Sequence, residues 1–306
     1  MITTVCMNPS FDKTVEVDAM SVGEVNRIRT SRVDMGGKGI NVAVVAQRLG
    51  LDVCCTGCMG RDGAARLTAM MDAEGLKHAF LTVDGSVRTN TKIVSRDGAP
   101  VTELNEPGPA MTEQTLDEFF DLAVSCAEKS EYAVITGSLP PACPAGTYRE
   151  LIRRMNIPCI LDVGGQELLL GLEAHPFLIK PNRPELEQTV GRALPTLADV
   201  IDAARELQAS GAQNVLVSLG GDGAVLITAD KAYLAPAIPV KVRSTVGAGD
   251  SMVGGVLAGL AAGGGLTEAL RCGAAAGTAS VMTEGTQLIV PEQFRALLAQ
   301  AEVQEV

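Results

Sequence analysis

The chain of 306 residues has no tryptophan, three tyrosines and six phenylalanines. Its core must therefore be built mainly from Ala, Val, Leu, Ile and Met, as layered α/β packing allows. Surplus positive charge is also missing. A formal net charge of -11 argues against a nucleic-acid or anionic-membrane partner, because phosphate contacts of that kind need a positive surface. Any anionic ligand has to be held by local positive features. The longest weakly polar run, residues 252–266, is too short and too glycine-rich to span a bilayer and reads as a buried helix. Residues 1–10 lack the basic stretch and apolar segment of a secretory signal, so cytoplasmic residence is expected. No G-x-x-x-x-G-K-[ST] occurs, which removes the P-loop route to phosphate binding. Eight cysteines are scattered, and Cys55-x-x-Cys58 has no second Cys or His pair at zinc spacing. Free thiols are expected rather than a metal centre.

What is present is nearly half apolar and contains 33 glycines, mostly near turns. The length suits one large domain, or a domain with an appendage. Short β-prone runs at 2–7, 52–57, 132–136, 159–163, 177–180 and 215–218 alternate with segments of helical period at 41–49, 64–74, 113–128, 148–155, 186–190 and 197–209. That alternation predicts a parallel sheet covered on both faces. Residues 14–33 and 89–103 break the rhythm as polar, β-prone ribbons able to pair outside the main sheet. They predict a small lid, about 12–34 and 88–104 with its flanks, inserted in a single domain. No repeat or long flexible linker divides the chain.

Ser244-Thr245-Val246-Gly247-Ala248-Gly249-Asp250-Ser251 joins a glycine-rich turn to an acid at the start of a small-residue run. Such a junction exposes unpaired backbone N–H groups, and with the helix dipole these form a cradle for phosphate oxygens. Asp250 would stand beside that cradle as a base. Gly36-Gly37-Lys38-Gly39-Ile40-Asn41 predicts a second helix entry where backbone can approach a ligand, with Lys38 adding charge and Asn41 an amide. It is no dinucleotide fingerprint, since it comes too late after the first strand and lacks the third glycine. Further polar tips follow predicted strands at 136–141, 162–165, 180–185 and 218–223, the ends where open α/β sheets bind ligands. Among them Asn182 and Glu185 form a hard-oxygen pair suited to Mg²⁺ held through waters, although N-x-x-E is also an ordinary helix start.

In order and spacing, Asn8-Pro9-Ser10-Phe11-Asp12, Gly23-Glu24-Val25-Asn26, Gly36 to Ala43, Arg88-x-Asn90-x-Lys92, Gly137-Ser138-Leu139-Pro140, Lys180-Pro181-Asn182 and Ser244 to Gly254 make the chain resemble the ribokinase-like (PfkB-type) carbohydrate kinases over essentially its whole length. Within them it is most similar to the bacterial 1-phosphofructokinase and tagatose-6-phosphate kinase branches. The resemblance implies a three-layer α/β/α sandwich with a mainly parallel sheet and a β lid. It also implies ATP and Mg²⁺ as cofactors, a ketohexose monophosphate as substrate, and a homodimer through the lids, whose exposed ribbon edges invite partners. Asp162-Val163-Gly164-Gly165 departs from the family, which usually has a hydroxyl residue after the Asp.

Carried over by position, Asp12, at the end of the first strand, matches the binder of sugar hydroxyls, and Gly36, Gly37, Ser138 and Asn41, its amide expected on a sugar hydroxyl, fall in substrate-contacting motifs. Arg27, Lys38 and Arg88 match positions that hold the substrate's resident phosphate. Lys180, Asn182, Ser218, Gly220, Gly223 and Thr278 fall on the nucleotide side, with Asn182 and Glu185 placing Mg²⁺ through water. Asp250 matches the base, and Gly247, Ala248 and Gly249 the anion hole. The activity implied is phosphorylation of fructose 1-phosphate on its 6-hydroxyl, with tagatose 6-phosphate and fructose 6-phosphate as alternatives. A silent sugar-phosphate sensor on the same scaffold is the reading from another class, and the retained transfer residues argue against it. A helix N-terminus is expected to depress the pKa of Asp250, so that it mainly orients the hydroxyl and takes the proton late in a loose transition state. Asp250→Asn is expected to cut kcat by several orders of magnitude while ATP affinity, measured by titration, stays near normal. Comparable loss of both would make Asp250 a structural cap.

Overall fold

A computed structural model describes residues 1–283 and 287–306. The chain starts with β1 (Ile2–Cys6), buried along its whole length. It then leaves the main sheet for an antiparallel pair, β2 (Ser10–Val17) and β3 (Thr30–Gly36), and returns through α1 (Lys38–Arg48), β4 (Val53–Asp62), α2 (Ala64–Ala73) and β5 (Lys77–Ser86). A second excursion, β6 (Arg88–Ser95) and β7 (Thr102–Asn105), precedes α3 (Glu113–Ala127), β8 (Tyr132–Thr136), α4 (Thr147–Arg154), β9 (Cys159–Asp162), α5 (Gly165–Leu172) and β10 (Leu178–Ile179). The remainder is α6 (Arg183–Val190), α7 (Leu197–Ala209), β11 (Val215–Ser218), β12 (Ala224–Ile227), β13 (Ala232–Ala235), α8 (Ala248–Ala261), α9 (Gly265–Val281), α10 (Pro291–Leu298) and β14 (Gln304–Glu305).

Among the described residues, ten strands form the main sheet in the order β14-β13-β12-β11-β10-β9-β8-β1-β4-β5, parallel from β11 to β5 and antiparallel from β11 outward to β14. Apolar side chains on its two faces feed separate cores. Ile40, Val45, Leu67, Met71, Val256 and Leu270 belong to one, and Phe119, Leu151, Leu168, Leu186 and Ala203 to the other. So α1, α2, α8, α9 and α10 cover one face and α3 to α7 the other, the three-layer α/β/α sandwich that was expected. Because the chain runs from β1 to β4 along one face and from β8 to β9 along the other, the sheet switches direction between β1 and β8. Ligands bind at the carboxyl ends of strands beside such a switch.

The two excursions form a four-stranded sheet, β3-β2-β6-β7, with β2 central. Local chemistry starts several helices. Thr112 with Thr115, Thr196 with Asp199, and Asn182 with Glu185 make reciprocal capping boxes that satisfy first-turn amides. All eight cysteines are free thiols. Among the described residues no helix is long and apolar enough to cross a membrane.

Several elements lie outside the sequence expectation. The strand expected at 177–180 is regular only over Leu178–Ile179, although the amides of Phe177 and Lys180 still donate to Cys159 O and Leu161 O of β9 at 2.9 and 3.3 Å. β5, α5, β12, β13, β14, α9 and α10 were not anticipated; β5 is largely exposed and α9 is rich in Ala and Gly, which carry little apolar period. Asp12, expected at the end of the first strand, is the third residue of β2. The small residues of α8 and α9 serve close approach: a Cβ on Gly255 would overlap the Cys272 carbonyl oxygen and lie 2.6 Å from Ala276 Cβ. Gly255→Ala gains about 1 kcal/mol of helix propensity, but overpacking costs about 1–3 kcal/mol. Urea unfolding should therefore show a lowered midpoint for Gly255→Ala, and a raised one would refute the tight helix pairing.

Candidate active site

Three cavities join along the carboxyl ends of the strands. The central one, about 440 Å³, is lined by Asp12, Lys38, Asn41, Lys180, Asn182, Asp250 and neighbours. A smaller one, about 240 Å³, shares Lys38, Arg88, Asn90 and Asn105 with it and reaches Cys6, Thr136, Gly137 and Ser138 at the switch point. On the other side a cavity of about 530 Å³ shares Ser218 and Gly249 and extends past Gly220, Gly223 and Thr278 to an apolar wall that includes Ile238 and Val240. The polar strand tips therefore open into one continuous groove with a cationic end and an apolar end.

Asp250 stands in the first turn of α8, which starts at Gly247 with φ +77° and no side-chain cap. Among the described residues nothing accepts a hydrogen bond from the Gly247, Gly249 or Asp250 amides, whereas the Ala248 amide donates to Thr245 O at 3.3 Å. The cradle thus consists of the amides of residues 247, 249 and 250, with Ala248 engaged in the turn. Lys180 reaches the same helix start: its Nζ lies 3.3 Å from where a Cβ on Gly249 would be. Lys180 also pairs with Asp162 at 3.1 Å, with both side chains 5% or less exposed. Thr136 Oγ1 donates to the backbone oxygen of Asp162 at 2.8 Å.

Burial dominates the electrostatics of Asp250. It pushes the carboxyl up to about 6, the charge of Asp162 adds to the rise, and the Asn41 amide, Lys38 and Lys180 oppose it. The depression expected from the helix N-terminus is therefore overturned, since losing water costs the carboxylate more than the dipole returns. At about 6 the group is a usable base near neutrality. For Asp162 burial also works upward, but Lys180 and Lys38 outweigh it and its pKa lies below the ordinary value. Lys38 is held above its usual pKa chiefly by Asp162, against burial, with Asp250 and Glu185 adding. Burial lowers the pKa of Arg88, whose guanidinium donates to Asn8 O at 3.1 Å and Glu106 O at 3.3 Å.

On the lid side Asp12 accepts from Ser10 Oγ at 2.8 Å and Asn90 Nδ2 at 3.3 Å, and faces Lys92 Nζ at 3.6 Å. Gly36 lies beneath it, buried, at a place where any Cβ would overlap Asp12 Oδ1. Gly36 is a spacer for Asp12, and Gly37, with φ +115°, opens α1. Asn41, whose amide was expected on a sugar hydroxyl, gives it to Asp250 Oδ2 at 2.8 Å. Arg27 is exposed on the loop between β2 and β3, away from these cavities, and is not brought to the groove within one chain. Lys92, Asn90, Glu103, Asn105 and Asp162 line the groove without having been assigned. The period-2 spacing of Arg88, Asn90 and Lys92 on one face of β6 was the available signal.

Asn182 and Glu185 are mutually engaged: the Glu185 amide donates to Asn182 Oδ1 and the Asn182 amide to Glu185 Oε2, each at 2.8 Å. Among the described residues no group of three or more His, Cys, Asp or Glu could hold a metal. The donors fit a Mg²⁺ carried mainly by phosphate and water, with Glu185 reaching it from outside, and not an all-protein cage.

The chain matches the pattern described as pfkB family carbohydrate kinase over residues 6–293. Among curated relatives it is similar to the 1-phosphofructokinase of Escherichia coli (strain K12), 34% identical over 306 residues, covering 99% of this chain and 98% of that one. It is similar to the 1-phosphofructokinase of Rhodobacter capsulatus at 39% identity over 302 residues, 97% and 95% of the two chains. Among solved structures it superposes on phosphofructokinase-2 from Escherichia coli in complex with potassium with a TM-score of 0.92 and 30% identity, over 98% of each chain.

Because the Asn41 amide favours the charged form of Asp250, its removal must raise the pKa further. Asn41→Ala should move the acidic limb of kcat/KM from about 6 to higher pH, with activity still rising as pH increases. The shift between the two enzymes is the readout, since titration of a substrate phosphate is common to both. An unmoved limb would detach Asn41 from the base.

Proposed function

The chain belongs to the pfkB family of carbohydrate kinases, and on that premise we propose that it transfers the γ-phosphoryl group of ATP to the 6-hydroxyl of fructose 1-phosphate. The observation that carries this reading is the buried Asp250 beside the unengaged amides of residues 247 and 249, midway between the cationic and apolar cavities. The relatives named 1-phosphofructokinase favour fructose 1-phosphate over the alternatives.

In this reading the resident phosphate lies toward the small cavity, near Arg88, Lys38 and Ser138, and Asp12 accepts sugar hydroxyls. The free hydroxyl then faces Asp250, which orients it and accepts its proton while Asn41 steadies the carboxylate. The amides of 247, 249 and 250, with Lys180, receive oxygens of the transferring group and stabilise the charge that develops there. The triphosphate runs past Ser218, Gly220 and Gly223 toward Thr278. Mg²⁺ held through water by Asn182 and Glu185 would offset charge on the phosphate oxygens. The lid sheet, carrying Arg88, Asn90 and Lys92, would exclude water on closing.

A homodimer through the lids and residence in the cytoplasm complete the proposal. Val22, Val25, Ile28, Val101 and Leu104 on the lid are 93%, 85%, 52%, 53% and 56% exposed. Apolar side chains so placed favour a covering partner. Arg27 lies among them, so a second copy is the route by which it could meet a substrate phosphate.

ADP release should be measured with fructose 1-phosphate, tagatose 6-phosphate and fructose 6-phosphate at matched concentration. Fructose 1-phosphate is expected to give the highest kcat/KM. Dominance of tagatose 6-phosphate would move the protein to the other branch, and binding without ADP release from any of the three would make it a sensor.

A further inference from the structure

Arg48, the last residue of α1, lies outside the groove yet ties together three pieces of chain. Its Nη1 donates to Gln287 O at 2.9 Å and Ile289 O at 3.2 Å, and its Nη2 to both Glu74 oxygens at 3.1 and 3.3 Å. The residue between the two clamped carbonyls, Leu288, has φ +55°. A branched residue in that region stores strain and persists only where its surroundings over-determine it. Here the surroundings are visible: Arg48 grips the carbonyls on either side, and Thr283 Oγ1 donates to Leu288 O at 2.9 Å.

The result of this conformation is a contact with the cradle. Leu288 is 6% exposed, and its Cδ2 lies 2.8 Å from where a Cβ on Gly247 would be. It therefore covers Gly247, which opens α8 and, with Gly249, lines the groove and keeps an unengaged amide. The same segment also faces a cavity of about 590 Å³, lined by Arg48, Glu74, Met70 and Leu288 and meeting the central groove at Asn41. Core packing does not support the segment from that side, so the hydrogen bonds of Arg48 do. The other end of α1 carries Asn41, which holds Asp250. One helix thus braces the base at its start and the cradle, through Leu288, at its end.

We propose that Arg48 is a positioning residue for phosphoryl transfer, holding Leu288 against Gly247 so that the cradle amides keep their aim. Its catalytic half rests on the kinase reading above. A displacement of the order of 1 Å at a reacting centre costs up to about 100-fold in rate, so Arg48→Met should lower kcat roughly 10- to 100-fold. KM for ATP and for fructose 1-phosphate should stay within about 3-fold, because the cationic pocket and the nucleotide wall are untouched. Arg48→Lys, which can reach a carbonyl but lacks the fork, should recover part of the loss.

The second readout is independent of turnover. In Arg48→Met the amide nitrogen resonances of Gly247 and Gly249 should shift, while that of Gly137, on the switch-point side, stays in place. Unchanged kcat per folded molecule overturns the inference, as does a fall in melting temperature with Gly247 and Gly249 unmoved. If the unmodified protein releases no ADP with any ketohexose monophosphate, the kinase reading fails, and the Gly247 and Gly249 resonances alone decide whether the brace exists.

Discussion

At Asp250 two effects oppose each other, and much of the surrounding structure responds to their balance. The start of α8 offers its carboxylate a favourable dipole and free amides, but the site removes it from water, and burial raises its pKa from 3.8 to about 6. A carboxyl whose folded pKa exceeds its unfolded value weakens the fold as pH rises from about 4 through about 6. A pKa of about 6 suits a carboxyl that exchanges a proton near neutrality. Asn41, Lys38 and Lys180 limit the cost by each favouring the charged form.

The same economy of charge governs the rest of the groove. An acidic chain with net charge -11 can receive phosphates only where cations are fixed, and three of the groove cations have a carboxylate or carbonyl counterpart. Lys180 is held by Asp162, Lys92 by Asp12, and Arg88 by two carbonyls. Buried pairs of this kind contribute little net stability, since desolvation offsets their attraction. What they supply is position, with the ammonium of Lys180 kept beside the start of α8. Asp162, the last residue of β9 and the first of the run that departs from the family pattern, is therefore no bystander: it anchors Lys180 and raises both Lys38 and Asp250.

The parts legible in the sequence were those with a strong local signal. β1, β8, β9 and β11 are short apolar runs, and α3, α6 and α7 begin at side chains that cap their own first turns. The Gly247 turn and the Gly37 entry were likewise visible, because glycine marks where backbone must take positive φ. Two kinds stand out among the elements that escaped. α9 packs through Ala and Gly, whose burial leaves no apolar period, and β12 to β14 form an antiparallel edge whose pairing depends on a neighbour far along the chain.

By itself the sequence determined the chemistry on offer: which backbone junctions bare their amides, which strand ends carry acids, amides and cations, and that no P-loop is present. These follow from neighbours within a few residues. Only the tertiary structure decided how those groups are used. Asn41 and Asp250, 209 positions apart, meet at 2.8 Å, Asp162 finds Lys180, and Gly36 makes room for Asp12. The sign of the Asp250 shift was also decided there, because desolvation depends on how much of the whole fold stands between a carboxylate and water, and no local pattern encodes that.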